Sequence, residues 1–395
     1  MALPRIDDEE RRRRIAVRHA LAPSARRCDV VGVTRAMTVL HATEAATVHL
    51  AVAARAEGVT PSDVDAALYD YRSVVKQLAM RRTLFVFPRD LLPAAWGSAS
   101  ARVARALSRR VAKDVVAAGI TDDGDAWLDR ACEAVLLRLE EGPATTTQLR
   151  QDVPELTGTV EIGTGTKWGR PVNVAPWVLT QLGVRGDVVR AHNAGHWRFN
   201  KPTWALTAHW LGDVPEPLDE AAGYAELVRR WLATFGPGTA ADIQWWLGST
   251  KTAVTRALAD VDAVEVALDD GSTGWVLPDD LEGTDPVEPW AALLPTLDPT
   301  TMGWKSRAHY LDAAHAPYLF DTNGNAGTTA WWNGRIVGCW VQDAAGRVRL
   351  SLLEDVGAEG LAALEREVAR LSTWLDGTVV TNVYASPQMK RARLP

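Results

Sequence analysis

Apolar residues recur at helical spacing before a Gly-Pro pair in two stretches of this chain. "LLRLEEGPATTTQLR" (136–150) and "RWLATFGPGTAADIQ" (230–244) both continue into a threonine-containing helix start with an apolar residue four positions further on. In each case one more helical pattern follows, and then two short strands. Helix, helix, helix and hairpin is the order of a winged helix, so we expect two such units, at about 130–205 and 222–282.

A third unit is predicted upstream of these two. "VTRAMTVLHATEAATVHLAVAARAEG" (33–58) and "PSDVDAALYDYRSVVKQLAM" (61–80) have the pattern of helices, and "RRTLFVFP" (81–88) alternates like a strand. Helices followed by a strand again indicate a winged helix.

The helix expected after this strand has a basic face. Its cations lie at spacings of 3, 7, 8 and 11 from the first one, opposite an apolar side. Such a face could follow the phosphates of DNA, or it could be ordinary solvated surface. The residues are Arg102, Arg105, Arg109, Arg110 and Lys113.

The character of the chain changes after Pro286. The stretch 318–356 contains two Asn-Gly turns and an Ala-Ala-Gly turn between alternating apolar runs, which predicts an antiparallel meander closing into a small barrel. A helix over 358–375 and a strand over "GTVVTNVYA" (377–385) complete it.

The predicted fold is therefore α+β, with three tandem winged-helix units followed by a small antiparallel β-barrel. Proline-rich joints are expected at 213–220 and 283–290. The predicted units are 1–125, which holds the candidate catalytic motif, 126–212, 213–285 and the C-terminal 286–395.

Composition narrows the class of protein. Of the 395 residues, 47% are hydrophobic and 23% charged, as in folded soluble proteins. Three distant cysteines argue against a disulfide framework and a cysteine metal cluster, and no apolar run suits a membrane span. We expect a cytoplasmic protein without a membrane partner.

Charge is distributed unevenly along the chain. The net charge is −6, yet residues 1–115 hold 20 basic against 12 acidic residues, which leaves 23 against 37 in the rest. A positive N-terminal third could face phosphates, although high arginine content alone could also explain it.

The sequence lacks most of the familiar catalytic signatures. "GTGTKWG" (163–169) lacks the Gly-Lys-Ser/Thr spacing of a phosphate loop and is expected to be a loop or hairpin. "HNAGH" (192–196) has two histidines but falls in a predicted wing without acidic or cysteine neighbours, so a solvent-exposed turn is favoured over a metal site.

"LHATEAATVHL" (40–50) carries polar groups that a buried helix does not require. A histidine on an apolar helix is more often a satisfied core residue than a catalyst, so the core interpretation is favoured for its histidines. Glu44 is harder to explain, because carboxylates are rarely buried unpaired and no cation lies within four residues of it. This small-residue stretch with one acid suits a cleft better than a packed core.

These segments together resemble a known family, the winged-helix DNA glycosylases of the AlkZ and YcaQ type. The resemblance is carried by "VVGVTRAMTVLHATEAATVHL", "LYDYRSVVKQLAMRRTLFVFP", "LLPTLDPTTMGWKSR" and "LFDTNGNAGTTAWWNGRIVG", and it covers residues 14 to 387. It implies tandem winged helices with a C-terminal barrel on double-stranded DNA. It also implies monofunctional excision of N-alkylated purines, including bulky adducts and crosslinks, without cofactor or metal.

The resemblance also implies site residues. The family's catalytic motif is Gln, an apolar residue, then Gln or Asp, and it falls on His41-Ala42-Thr43, so His and Thr replace both polar members. We expect His41 to hold or deprotonate water, Thr43 to hydrogen-bond that water, and Glu44 to supply negative charge for an oxocarbenium-like sugar. This departure puts in question the residue that positions the attacking water.

Further DNA contacts are expected outside the basic helix. Lys305 and Arg307 could bind phosphate or support the barrel, and Trp304 could equally be core or stack near the adduct. Arg81 and Arg82 complete the predicted DNA-binding set. We expect a monomer acting in DNA repair or antibiotic self-resistance. The alternatives are a regulator that binds DNA without catalysis and a lapsed family member that only binds damage.

Overall fold

The computed structural model describes residues 3–163 and 169–392. Its first part contains a small antiparallel sheet with strand order β1-β3-β2. The elements are α1 (Asp8–Arg18), α2 (Val30–Ala36), β1 (Leu40–His41), α3 (Ala45–Arg55), α4 (Pro61–Asp65), β2 (Val74–Leu78) and β3 (Leu84–Pro88).

Two sequence predictions are corrected in this part. The stretch 33–58 is two helices separated by the short strand β1, not continuous helix. The helix predicted over 61–80 ends with a π-turn at Ala66–Asp70, and β2 follows. Arg72 has a positive φ of 54°, which interrupts the helix, and the β-branched Val74 and Val75 then pair with β3.

The second part begins with a long interrupted helix, in which α5 (Leu92–Ala95) passes through a π-turn into α6 (Ala101–Ala117). It continues as α7 (Gly124–Glu140), β4 (Ala144–Thr145), α8 (Thr146–Asp152), β5 (Thr159–Ile162), β6 (Arg170–Asn173), α9 (Ala175–Arg185), β7 (Val188–Asn193), β8 (Pro202–Leu206) and α10 (Thr207–Leu211). Most of "GTGTKWG", residues 164–168, lies outside the described residues, and the flanking β5 and β6 pair with each other.

The third part has the same succession of three helices and a hairpin as α7, α8, α9 and β7-β8, but without the β5-β6 pair that lies between α8 and α9. Its elements are α11 (Glu220–Phe235), α12 (Ala240–Leu247), α13 (Lys251–Asp260), β9 (Val264–Ala267) and β10 (Thr273–Val276). The internal repeat is visible in the caps, because Thr145 with Gln148 and Thr239 with Asp242 each form a capping box after the Gly-Pro pair. Helix and hairpin order is thus confirmed, while the assignment of three winged helices stays a prediction.

The C-terminal part is an open sheet, not a closed barrel. Its elements are β11 (Ala291–Leu294), α14 (Ala316–Leu319), β12 (Thr329–Trp332), β13 (Arg335–Gln342), β14 (Val348–Leu352), α15 (Gly357–Leu375) and α16 (Pro387–Ala392). Among the described residues β11 and β14 are its two edges. Asn333 and Gly334, with φ of 46° and 79°, form the predicted tight turn between β12 and β13.

Two further predictions fail in this part. The meander does not begin at Tyr318, which lies in a short helix, because β11 supplies the first strand from upstream. The stretch 377–385 forms no strand. Two of its backbone amides donate instead to a carboxylate of the first part.

Hydrophobic cores cross the predicted unit boundaries. One core joins Leu40 of β1, Trp231 of α11 and Trp331 of β12, whereas the second part has a core of its own between α6, α7 and α9. A further cluster packs Leu50 of α3 and Trp197 against the C-terminal sheet. The first, third and C-terminal parts thus share buried contacts, which also include Trp96 and Trp210 of the second part, and the division into four units stays a prediction.

A buried ion pair attaches α3 to the segment after β11. The guanidinium of Arg55 donates to both oxygens of Asp298 at 2.8 and 2.6 Å, and neither side chain is exposed. Thr47 of the same helix donates to the carbonyl of Thr296 at 3.0 Å. These contacts hold α3 and residue 296 at a defined separation, which positions the candidate active site.

No helix in the described part of the chain has the length and apolarity needed to cross a membrane.

Candidate active site

The polar stretch at 40–50 is a junction between a strand and a helix. β1 ends at His41, α3 begins at Ala45, and Glu44 occupies the residue before the helix. Glu44 does not cap the helix with its side chain. This geometry explains why neither strand nor helix periodicity accounts for His41, Thr43 and Glu44 together.

Glu44 is buried, and its two carboxylate oxygens are held by donors from distant parts of the chain. Thr296 donates its hydroxyl to Oε2 at 2.5 Å, while the backbone N–H groups of Val383 and Tyr384 donate to Oε1 at 2.6 and 2.8 Å. All three bonds use the carboxylate as acceptor, which is the role of its ionised form. Burial raises the pKa of the Tyr384 phenol, and the nearby charge of Glu44 raises it further.

His41 is also buried, but its polar atoms are unsatisfied. Neither ring nitrogen has a hydrogen-bond partner among the described residues, and the ring packs on Phe85 with centroids 4.6 Å apart. Burial lowers the pKa of His41 to about 3, and the positive charge of Arg81 contributes to the shift. The imidazole is therefore neutral at pH 7, with one nitrogen able to donate and one able to accept.

Thr43 is exposed between these two buried groups in the sequence. It lies in the irregular connection where β1 has ended and α3 has not begun. The junction thus combines a neutral imidazole, an exposed threonine and a firmly held carboxylate.

Arg81 and Arg307, both predicted to bind DNA, come together on Trp245 of α12. Their guanidinium carbons lie 4.2 and 5.6 Å from the indole centroid, and Arg307 also lies 4.4 Å from the ring of Phe320. Local sequence patterns do not reveal this role of Trp245, because its two partners lie far from it along the chain, one on either side.

The basic face of α6 is exposed as predicted, but several of its cations have protein partners. Arg102 donates to the carbonyl of Gly248 at 3.2 Å, Arg105 pairs with Glu220 at 3.3 Å and Arg110 pairs with Asp114 at 3.4 Å. The side chains of Arg109 and Lys113 are exposed. Arg82, also exposed, lines with Arg110 and Trp177 a cavity of about 280 Å³ between α6 and α9.

Trp304 belongs to the core, which rules out the stacking alternative. Its side chain is 3% exposed, and its indole N–H donates to the carbonyl of Phe235 at 3.0 Å. The neighbouring Lys305 has an exposed side chain, while its backbone N–H donates to Asp242 at 2.9 Å. The side chain of Lys305 therefore lies at the surface, whereas that of Trp304 is buried.

The paired histidines of "HNAGH" lie at the β7-β8 hairpin. His192 is in β7, His196 is in the turn that follows it, and both are exposed. Within residues 3–163 and 169–392, no group of three His, Cys, Asp or Glu side chains could hold a metal ion.

Sequence reasoning missed the groups that hold Glu44. Thr296, Val383 and Tyr384 are separated from it by 252, 339 and 340 positions. Two of the three donors are backbone N–H groups, which have no residue-type signature. An unpaired acid in a small-residue stretch was the only available sign that such partners existed.

This chain and its structure were compared with known protein families and solved structures. The model of the family described as DNA glycosylase AlkZ-like matches residues 34–374. Among solved structures, the chain is similar to Streptomyces sahachiroi DNA glycosylase AlkZ, with a TM-score of 0.72 and 18% identity over 95% of this chain and 98% of that one. A search of curated proteins finds no match. Because the family match spans most of the chain, this protein belongs to the AlkZ-like DNA glycosylase family.

Proposed function

We propose that this glycosylase hydrolyses the N-glycosidic bond of N7- or N3-alkylated purines in double-stranded DNA, including bulky adducts or crosslinks, in repair or antibiotic self-resistance. The observation that carries the proposal is the Glu44 carboxylate, which is buried and fixed by three donors. It lies three residues from His41, whose ring nitrogens have no partner among the described residues.

The chemistry of such substrates matches this arrangement. Alkylation makes the purine cationic, so the base leaves without a strong general acid, and the remaining requirement is to stabilise an oxocarbenium-like sugar. A fixed negative charge in a water-poor site does this without reorganising during the reaction. Glu44 has that property because its three hydrogen bonds hold the carboxylate in place.

His41 and Thr43 are proposed to orient the attacking water. A neutral imidazole whose pKa lies near 3 is too weak a base to remove a proton early, so its contribution is positional. Its two nitrogen atoms lack protein partners among the described residues, and the hydroxyl of the exposed Thr43 can supply a second contact. Together they would replace the pair of side chains in the family motif.

The test is a single-turnover excision assay on a duplex with one N7-methylguanine, read as alkali-labile abasic sites. We expect Glu44→Gln to lower the rate by about 100- to 1000-fold, because the neutral amide removes the charge that stabilises the sugar. Glu57→Gln, on an exposed residue, is the matched control and should keep the wild-type rate.

Two results would contradict the proposal. Wild-type protein that binds the alkylated duplex without releasing base would show a damage binder and not an alkylpurine glycosylase. Full activity in Glu44→Gln would move the site elsewhere. Selective binding to one undamaged sequence would instead support the regulator alternative.

The proposal includes three winged-helix units acting as a monomer on one duplex. It is supported by the repeated helix and hairpin order of the second and third parts. Sedimentation of the protein with and without a short duplex would test the monomer, since a second copy on the DNA would contradict it.

A further inference from the structure

Arg81 and Arg307 form a pair of like charges, and neither has a carboxylate partner in the part of the chain that the structure describes. Each guanidinium lies over the indole of Trp245, and the charge of Arg307 acts directly on Arg81. The ion pairs formed by the described residues include neither arginine. Two cations around one indole repel each other, and an anion between or beside them offsets this repulsion.

Among the described residues, the side chain of Arg81 has fewer hydrogen-bond partners than that of Arg307. Its Nε is buried and has no hydrogen-bond partner among the described residues. Burial and the charge of Arg307 lower the pKa of Arg81 to about 10, so the group remains charged at pH 7. Arg307 uses Nε and one Nη for the carbonyls of Thr301 and Gly324, at 3.3 and 3.4 Å. Its position is fixed while Arg81 has donors to offer.

The backbone holds Arg81 in this place by an unusual conformation. Arg81 and Arg82 have consecutive positive φ values of 54° and 55°, a region that non-glycine residues seldom adopt and that is enriched at functional sites. Gly248, with φ of 62°, lies so close that a Cβ there would be 3.0 Å from Cγ of Arg81. The absence of a side chain at Gly248 thus allows this close approach to Arg81.

The pair lies beside the proposed reaction centre. Arg81 lies in the turn directly before β3, whose Phe85 pairs with His41 of β1, three residues from Glu44. The charge of Arg81 also acts on His41. Arg81 comes from the turn between β2 and β3, Trp245 from α12 and Arg307 from the segment after β11. Three parts of the chain therefore meet at one cationic position next to the junction that carries the site.

We propose that Arg81 and Arg307, supported by Trp245, bind one backbone phosphate of the DNA next to the nucleotide that is cleaved. A phosphodiester fits because it is a monoanion with two oxygens that guanidinium groups bind in a fork, and because DNA presents it at a fixed distance from the sugar. This inference rests on the proposed function for the location of the sugar. It assigns to the two arginines a single shared ligand, in contrast to separate surface contacts.

The test uses duplexes in which one phosphate at a time is replaced by an uncharged methylphosphonate. The duplex carries a tetrahydrofuran abasic analogue, so that binding is measured without excision. We expect one position next to the analogue to weaken wild-type binding about 10-fold, as when a charge-assisted hydrogen bond is removed. In Arg81→Met and in Arg307→Met the same replacement should have almost no further effect.

Control variants distinguish loss of the phosphate contact from disruption of the fold. Arg366→Met, on the exposed side of α15, should retain the full sensitivity to the methylphosphonate. Arg81→Lys keeps the charge and should recover part of the affinity, which a purely structural role of the arginine would not produce. Thermal midpoints of all variants are measured, and Arg307→Met carries the test if Arg81→Met does not fold.

Two outcomes would overturn the inference. One is a wild-type protein for which no single phosphate near the analogue matters. The other is a sensitive phosphate whose effect is undiminished in both methionine variants. Both outcomes are measured by binding alone, without excision. Failure to release alkylpurine from DNA would refute the proposed function, but the effect of the arginine variants on sensitivity to each phosphate could still be measured.

Discussion

Glu44 and His41 lie three residues apart but differ in how fully their polar atoms are satisfied. The carboxylate accepts three hydrogen bonds, and the imidazole has no partner among the described residues. A buried polar group without a partner destabilises the fold by about 1–3 kcal/mol, so its retention is typical of a group that meets water or substrate in use. At this scale Glu44 is a fixed charge and His41 is an open binding group.

The first prediction concerns the pH dependence of excision. Because burial lowers the pKa of His41 to about 3, the imidazole stays neutral from pH 5 to 8, and the single-turnover rate should not change through loss of a histidine proton. His41→Leu should lower the rate by about 100-fold, because the water loses its orientation. His41→Gln, whose amide also donates and accepts, should retain more of the rate.

A rate that rises with a midpoint near 6.5 in the wild type, and loses that rise in His41→Gln, would contradict this. It would show that the imidazole titrates in its ordinary range and acts as a base. The rates are measured on pre-bound enzyme and duplex, so that changes in affinity do not enter.

Among the elements, α6 has some basic side chains in ion pairs and others that are exposed. Arg105 and Arg110 are paired with Glu220 and Asp114, at 3.3 and 3.4 Å, while Arg109 and Lys113 are exposed without an ion pair among the described residues. The opposite side of the helix packs in the core of the second part. Exposed cations on a helix that is otherwise anchored suit an interaction with phosphates.

The second prediction follows for Arg109 and Lys113. Substituting both by alanine should weaken binding to any duplex sequence, and the slope of log affinity against log salt should fall by about 0.9 for each phosphate that is no longer neutralised. The measurement is a fluorescence anisotropy titration at several salt concentrations. Arg349→Ala, in a strand that pairs with β13, is the control; an equal weakening in the control, or an unchanged slope, would show that α6 is ordinary solvated surface.

At the scale of the whole molecule, the buried His19, His41 and His309 connect stability to acid. Burial lowers the pKa of His19 and His309 well below 6.5 and that of His41 to about 3. In the unfolded chain all three take up a proton near 6.5, whereas the folded protein does not until much lower pH. The free energy of unfolding is therefore greatest above pH 6.5 and falls as the pH falls toward 3.

The third prediction quantifies this decrease. Each of these histidines should contribute a slope of about 1.4 kcal/mol per pH unit below 6.5. His309 lacks hydrogen-bond partners among the described residues and packs against Trp304 and Tyr310, at 4.9 and 4.7 Å between centroids. His309→Phe should thus make unfolding less sensitive to acid. Thermal midpoints from pH 7 to 5 test this, and an identical slope in the variant would contradict it.

Several features of the fold followed from local pattern alone. The Gly-Pro repeat predicted two helix starts, and both form capping boxes, because a threonine and the residue three positions later interact within one turn. The Asn333-Gly334 turn was predicted because those two residue types accept positive φ. The strand at 74–78 was missed because a single residue with positive φ ends the preceding helix.

The sequence by itself determined the family, the helix and turn signals, and the stretch in which the candidate site lies. Each of these depends on residues close together in the chain, whose spacing is readable. Only the tertiary structure decided that Trp304 is core, that the C-terminal sheet is open, and that Thr296, Val383 and Tyr384 hold Glu44. Those outcomes depend on interactions between segments hundreds of residues apart and on backbone donors, which no residue type announces.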